Sequence, residues 1–391
     1  MRSKKNEIVI IGGGPVGTTL ALALQQQGQP VAVLEARSQG AAYHDQRALA
    51  LSYGSRLMLE RLDVWDRLVD KATPIETIHI SQRGSVGRSR LTASEHGQPA
   101  LGYVLAYGDL SRALEDVLVQ GAGVRMLHEA EALEISPDRD FSTVAFTYQQ
   151  EEHRLKTSLL VLADGGRSLA DIPGLHRQTK LYGHDALVTK VKTELPHNHI
   201  AYERFTPMGP VALLPNGPHD FSLVWTGREH QVAALMALPD DVFLTQLHAH
   251  FGDRVGAFLE VGKRLTFPLK LSYLSPVTAS HLVVIGNAAQ TMHPVAGQGF
   301  NVGLRDAWEL AQLIADYQAN DLGGAAMLSA YQKGRQQDTK RGMMFTDFLV
   351  NLFSNNIVGL NPLRSTGIGL LDILHPIKRH IVNKMSFGSR G

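Results

Sequence analysis

Continuous apolar runs, rather than alternating ones, mark the first strands of this chain. Glu7–Ile11 is β-branched at four of its five positions and reads as a buried parallel strand. Thr18–Gln27 reads as a helix, with Gly28 suited to its C-terminal cap. Val31–Leu34 reads as a second strand ending at Glu35. Leu159–Ala163 and Leu282–Ile285 are later runs of the same buried kind. Leu187–Lys192, Val211–Leu214 and Phe221–Trp225 are short apolar runs between Pro, Gly and Asn turns, the pattern of a β-rich insert. From about residue 341 the chain reads as helical, with Phe345, Phe348, Leu349, Leu352 and Phe353 as its apolar positions. These patterns predict an α/β protein with an inserted β-sheet and a helical tail, without internal repeats.

Ile8 to Leu34 contains no Asp, Glu, Lys or Arg, and Arg2, Lys4 and Lys5 precede it. That profile imitates a signal peptide or membrane anchor. Its interior argues otherwise, because Gly12, Gly13, Gly14, Pro15 and Gly17 break the first part and Gln25 to Pro30 the second. A buried strand–turn–helix–strand in a soluble protein is the expectation. The 391 residues, 44% apolar and 19% charged, suit two or three globular domains. Lys and Arg (38) nearly balance Asp and Glu (37), which argues against a nucleic-acid binder. The absence of cysteine excludes disulfide scaffolds, thiolate metal sites, iron–sulfur clusters and dithiol relays, and fits a cytoplasmic compartment.

Gly12-Gly13-Gly14-Pro15-Val16-Gly17 joins the first strand to the first helix. Gly12 permits a tight turn, Gly14 lets a pyrophosphate approach the backbone, and Gly17 lets helix and strand pack closely. The helix N-terminus would face the phosphates, and Glu35 would bond a ribose hydroxyl. The alternative is a glycine-rich loop used for packing alone. Two later loops add to the picture. Asp164-Gly165-Gly166-Arg167-Ser168 follows one buried strand, and Gly286-Asn287-Ala288-Ala289 ends another. His293-Pro294-Val295-Ala296-Gly297-Gln298-Gly299-Phe300-Asn301 then leads into a helix starting near Asn301. Such a loop offers backbone N–H groups and a positive dipole end to the anionic edge of a reduced flavin. An ordinary turn or an unliganded helix start is the alternative in each case.

Taken in order, these motifs resemble the group A FAD monooxygenases of the para-hydroxybenzoate hydroxylase fold, over nearly the whole chain. Within them the ubiquinone-biosynthesis hydroxylases are most similar, through Asp45-Gln46-Arg47-Ala48-Leu49, Glu203-Arg204-Phe205-Thr206, Gly209-Pro210, Leu214-Pro215, Phe267-Pro268-Leu269 and Gly286-Asn287-Ala288-Ala289-Gln290-Thr291. The last of these is most similar to the branch that hydroxylates 2-polyprenyl-6-methoxyphenol. The resemblance implies a discontinuous Rossmann-like FAD domain over 1–72, 101–178 and 279–340, a substrate-binding sheet over 73–100 and 179–278, and C-terminal helices over 341–391. It implies FAD as cofactor, NAD(P)H as transient reductant, O2, and a ring hydroxylation through a flavin C4a-hydroperoxide. It also implies a polyprenyl phenol substrate, other ubiquinone-biosynthesis proteins as partners, and a place at the inner face of the membrane.

Carried over residue by residue, the cofactor set is Gly12, Gly14, Pro15, Val16, Gly17, Glu35, Ala36, Arg37, Arg47, Tyr107, Asp164, Gly165, Asn287, Gly297, Gln298, Gly299, Phe300 and Asn301. His293 and Pro294 match the loop beside the flavin ring. His293 is the candidate to deprotonate the phenol, with a plain loop cap as the alternative. Asn287 stands where most of the wider family has Asp, and Asp171 where it has Arg. The pairs His197/His199 and His248/His250 have a spacing that can hold metal on a strand. Without Cys, HExxH or clustered carboxylates, no metal is expected. Flavin halogenases need paired tryptophans, and Trp65, Trp225 and Trp308 are too far apart. A sister hydroxylase acting at another ring carbon and a non-catalytic flavoprotein subunit are the remaining alternatives.

After Asp372 no acidic residue follows, and His375, Lys378, Arg379, His380, Lys384 and Arg390 interleave with Ile377, Ile381, Val382, Met385 and Phe387. A basic amphipathic end can lie on an anionic membrane. Equally, its apolar face can pack on the protein.

Overall fold

The computed structural model describes residues 7–84, 87–169, 172–206, 208–291, 298–336 and 375–388. Strands Leu282–Val284, Leu159–Leu162, Ile8–Ile11, Val31–Glu35 and Val124–His128 lie side by side in that order and run parallel, with Thr278–Ala279 antiparallel at one edge. The continuous apolar runs have a direct cause: both faces of this sheet are covered. Ile8, Ile10, Val31, Val33 and Val161 face a core shared with the helices. Val9, Ile11, Ala32, Leu34 and Leu162 face a second core beneath the antiparallel strands Glu131–Pro137, Ser142–Tyr148 and Glu151–Thr157.

The first helix spans Pro15–Gln26, three residues earlier than Thr18, because Pro15 at the first helical position needs no N–H partner. It is packed between the helices Tyr107–Leu118 and Gln298–Ala315. Gln27 Nε2 donates to the Ala311 carbonyl at 3.0 Å, tying the first and last parts of the unit together.

A second sheet has nine strands. It is drawn from Thr77–Gln82, Arg88–Thr92, the long Arg177–Thr193, Ile200–Phe205, Val211–Pro215, Asp220–Arg228, Phe258–Val261, Leu265–Leu274 and the short Gln290–Thr291. Its pairing is antiparallel except where Ile200–Phe205 runs beside Thr77–Gln82. Helices Glu229–Ala237 and Asp240–Phe251 cover one face, over a core that includes Phe221, Trp225, Phe243 and Phe251. The other face meets the first unit where Ala201 packs with Val104 and Ile75.

The helix His375–Phe387 closes the described structure. Val382 is buried, and Ile381 and Met385 pack with it against Leu91, Ala93 and Leu101. The Ser386 carbonyl accepts from Ser52 Oγ at 3.1 Å, and Phe387 meets Tyr53 edge to face. The apolar face of this helix is therefore covered by protein, while Arg379 and His380 are exposed. The segment 341–374, which carries the remaining apolar positions expected of the tail, lies outside the described residues. No described helix is long and apolar enough to cross a membrane.

Candidate functional site

A cavity of about 310 Å³ opens along the carboxyl ends of the parallel strands, the usual ligand position in open α/β sheets. Its floor is the turn after Ile11. Gly12 has φ +106°, and a Cβ there would stand 2.7 Å from the Ala163 backbone, so only glycine fits. Gly17 permits a second close approach, since a Cβ on it would come 2.0 Å from the Gly12 carbonyl. Gly14 is different. Its backbone is extended (φ −71°, ψ 173°), and a Cβ there would meet only Tyr107 Oη, at 3.3 Å. The space above Gly14 belongs to the cavity.

The helix that starts at Pro15 has no side-chain cap and no acidic residue in its first turn. The N–H groups of Gly14, Val16 and Gly17 donate to no described residue. Unsatisfied N–H groups at a positive dipole end, facing a cavity, make an anion site.

Glu35, at the end of the second strand, accepts from Gly13 N–H at 2.7 Å and Arg37 N–H at 2.9 Å, and pairs with Arg37 Nε at 2.7 Å. Burial acts to raise its pKa. The hydrogen bonds from Arg37 and Gly13 and the Arg37 charge outweigh burial and hold the carboxyl below its ordinary value. Arg37 is raised in turn by Glu35, against its own burial, with Tyr107 adding to the effect. Arg47 grips Asp45 at 2.5–2.9 Å and lies 4.9 Å over the Tyr107 ring. Asp164 accepts from Gly166 N–H at 2.9 Å and Ser168 N–H at 2.7 Å, which shapes the turn after the Leu159–Leu162 strand.

At the opposite end stand Asn287, Gly299, Phe300 and Gly303. Val16 wedges between Gly286 and Gly303, where added Cβ atoms would come 3.1 and 3.0 Å from its methyls. Gly286 N–H donates to buried Asp306 at 2.9 Å, and Asp306 pairs with Arg335 at 2.5 Å.

Of the residues expected around a cofactor, Gly12, Gly14, Pro15, Val16, Glu35, Ala36, Arg37, Arg47, Tyr107, Asp164, Gly165, Asn287, Gly299 and Phe300 line this one cavity. Gly17 is not part of the lining; the side where a Cβ would stand packs on the Gly12 carbonyl, while its N–H has no described partner. Asn301 is also set back. Its Oδ1 accepts from Ser52 N–H at 2.8 Å and Ser55 Oγ at 2.7 Å, and its Nδ2 donates to the Ala50 carbonyl at 2.9 Å. The side chain therefore ties the Gln298–Ala315 helix to the Ala48–Ser52 strand and does not face the cavity. His293, Pro294 and Gly297 lie outside the described residues, and Gln298 is described by its backbone alone.

Ala130, Glu131, Ala132, Arg167, Ser168 and Gly303 also line the cavity but were not foreseen. Arg167 and Ser168 belong to the motif already noticed after the Leu159–Leu162 strand. Ala130 to Ala132 carry no motif. They arrive because Val124–His128 pairs with Val31–Glu35, and Ala130 N–H donates to the Glu35 carbonyl at 2.9 Å.

The histidine pairs have other partners. His197 Nε2 bonds the Gly217 carbonyl, and His248 pairs with Asp253 at 2.9 Å. His250 Nδ1 accepts from Arg83 at 2.9 Å, so its Nε2–H faces Thr206 Oγ1 at 3.1 Å, whose hydroxyl donates to the Gly209 carbonyl at 2.7 Å. This relay fixes the turn between Thr206 and Gly209.

A space over Gly14 free of any side chain of its own, three unpartnered N–H groups and a carboxylate after the second strand define a dinucleotide-binding α/β protein, and FAD fits this donor set. Residues 5–346 match the FAD binding domain family. A ubiquinone hydroxylase, UbiL, of Rhodospirillum rubrum is 34% identical, over 96% of this chain and 88% of that protein. The 3-demethoxyubiquinol 3-hydroxylase of Escherichia coli K12 is 27% identical, over 97% and 98%. Among solved structures, p-nitrophenol 4-monooxygenase PnpA from Pseudomonas putida DLL-E4 superposes with a TM-score of 0.79 at 18% identity, covering 98% of both chains. The chain belongs to the ubiquinone-biosynthesis FAD-dependent hydroxylase family. It is an FAD-dependent monooxygenase, with NAD(P)H the reductant typical of that family.

Proposed function

We propose that the protein hydroxylates the ring of a polyprenyl methoxyphenol during ubiquinone biosynthesis. A ring C–H, O2, NAD(P)H and a proton would give a ring C–OH, NAD(P)+ and water. The observation that carries the reading is the single cavity that collects the glycine turn, Glu35, Asp164 and Asn287 at the strand ends. In it, the free N–H groups of Gly14, Val16 and Gly17 would hold the pyrophosphate, and Glu35 and Arg37 would flank the adenosine ribose. Asn287, Gly299 and Phe300 would lie toward the flavin ring. Bound and reduced, FAD would supply the electrons that activate O2 for attack by an electron-rich ring. The chain's own residues would place the ring and keep water away. A polyprenyl tail resides in lipid, so the same reading puts the protein in the cytoplasm at the inner face of the membrane. Arg379 and His380 are exposed on the tail helix and available to anionic headgroups.

A second reading, hydroxylation at another ring carbon, is favoured by the 27% identity to a relative named as a 3-hydroxylase of demethoxyubiquinol. The test is NAD(P)H oxidation with short-chain prenyl phenols and with para-hydroxybenzoate. Stimulation by prenyl phenols supports the proposal. Stimulation by the polar acid alone overturns it.

A further inference from the structure

We propose that Glu203 accepts the proton of the substrate's ring hydroxyl, from the face of the nine-stranded sheet that looks toward the flavin-binding unit. The inference rests on the phenol-hydroxylase reading above and assigns it a residue. Side chains alternate along Ile200–Phe205. Tyr202 points into the aromatic core under the two helices. Ala201 points the other way, onto Val104 and Ile75, and Glu203 shares its side.

The strand register places Ala212 and Ile80 directly beside Glu203, with Val224 and then Val188 beyond Ala212. All are apolar and only half-buried, whereas Leu213, Leu223 and Trp225 on the helix-covered face are fully buried. Glu203 is therefore the one carboxylate in a row of half-buried apolar side chains, of which Ile80 also packs with Ile381 and Met385 of the tail helix. Glu203 itself is half-buried on this face. The same face leads toward the cofactor cavity through Ala201, which packs with Ala48, and the neighbouring Arg47 lines that cavity.

Glu203 has no hydrogen-bond or ion-pair partner among the described residues. An unpartnered carboxylate in apolar surroundings is costly unless it is neutral or meets a ligand. Burial alone pushes its pKa up to about 7. Lys190 and Asp220, the charged pair farther along the same face, are 2.7 Å apart and satisfy each other. The first unit brings the non-ionisable Ala48, Val104 and Ile75 to this face, and Arg47 next to Ala48 is held by Asp45.

A carboxyl titrating near neutral pH can take a phenol's proton and release it again. As oxygen joins the ring, the substrate O–H bond breaks and its electron pair moves toward the ring. The proton forms a new O–H bond on Glu203; when the attacked carbon then loses its hydrogen to water and the ring regains aromaticity, Glu203 returns the proton to the ring oxygen.

The test compares Glu203→Gln and Glu203→Asp with the unaltered protein, all loaded with FAD. Infrared titration of the unaltered protein is expected to show a carboxylic-acid band that disappears through about pH 7, a band missing from Glu203→Gln. With a short-chain prenyl phenol, kcat for hydroxylation in Glu203→Gln is expected to fall on the order of 100-fold. Flavin content and KM stay the same, and the acid limb of the pH profile vanishes, while Glu203→Asp keeps that limb. An unaltered protein without the infrared band, or a Glu203→Gln variant with an unchanged rate and profile, overturns the assignment. If the unaltered protein hydroxylates no phenol, the functional reading itself falls and this assignment with it. If it does and Glu203→Gln matches it, only the role of Glu203 falls.

Discussion

Two glycines of one motif are predicted to fail in different ways. Gly14→Val should empty the flavin site and leave the fold intact. The extended backbone at Gly14 accepts any L residue, and the new Cβ meets one atom, Tyr107 Oη at 3.3 Å. The remaining methyls would project over the N–H groups of Gly14, Val16 and Gly17, where the pyrophosphate belongs. Gly17→Ala, a smaller change, should damage the fold, because its Cβ would lie 2.0 Å from the Gly12 carbonyl. Overpacking of that kind costs about 3 kcal/mol or more. Gly12 cannot yield, since its own φ of +106° and its contact with the Ala163 backbone fix it. The assay is flavin-to-protein ratio by absorbance, with melting of the flavin-free forms. At a flavin concentration 100 times Kd, bound FAD adds about 2.7 kcal/mol to stability. Gly14→Val should lack that increment and melt like the flavin-free unaltered protein. Full flavin occupancy in Gly14→Val, or a flavin-free form as destabilised as Gly17→Ala, would refute the reasoning.

Asn287→Asp should retain FAD, whereas Asn287→Leu should weaken it by about 1–3 kcal/mol through an unpaired polar group, checked by flavin titration; equal affinities would show that the side chain does not reach the cofactor. His79 and His250 are held near pKa 4 by burial first, and then by Arg254, Arg90 and Arg88 around His79 and by Arg83 and Arg204 around His250. Both are neutral in the fold, so their contribution is complete above the unfolded value of about 6.5 and is lost as pH falls toward 4, by roughly 3 kcal/mol each. The urea midpoint should drop over that window and drop less in His79→Gln; identical slopes would contradict this. Val382→Ala, in the buried seam of the tail helix, should cost about 2 kcal/mol without changing liposome binding at low salt, and a loss of liposome binding would show that the seam faces lipid.

Much of the nucleotide half of the site was legible because it is local. A strand, three glycines, a helix and an acid at the next strand end are consecutive in sequence, and the turn geometry follows from steric need. Asn301 misled because a polar residue at a helix start resembles a ligand contact, and only the tertiary position of Ser52 and Ser55 shows that it is a tether. Ala130 to Ala132 were invisible because parallel pairing brings them from about 95 residues away. Glu203 was noticed as part of a motif but not for its chemistry. Its isolation follows from four other strands that place Ala212, Ile80, Val224 and Val188 around it. The basic, apolar tail was ambiguous for a related reason, since a helix face does not declare whether protein or lipid covers it.

The central claim, a flavin-dependent hydroxylation of a prenylated phenol, is tested most directly by one incubation. The purified FAD-loaded protein is given NAD(P)H, isotopically labelled O2 and a short-chain prenyl methoxyphenol, and the product is analysed by mass spectrometry. The account predicts a single new ring hydroxyl carrying the label, formed with about one equivalent of NAD(P)H. An unlabelled hydroxyl, or NAD(P)H oxidised without any ring product, would contradict it.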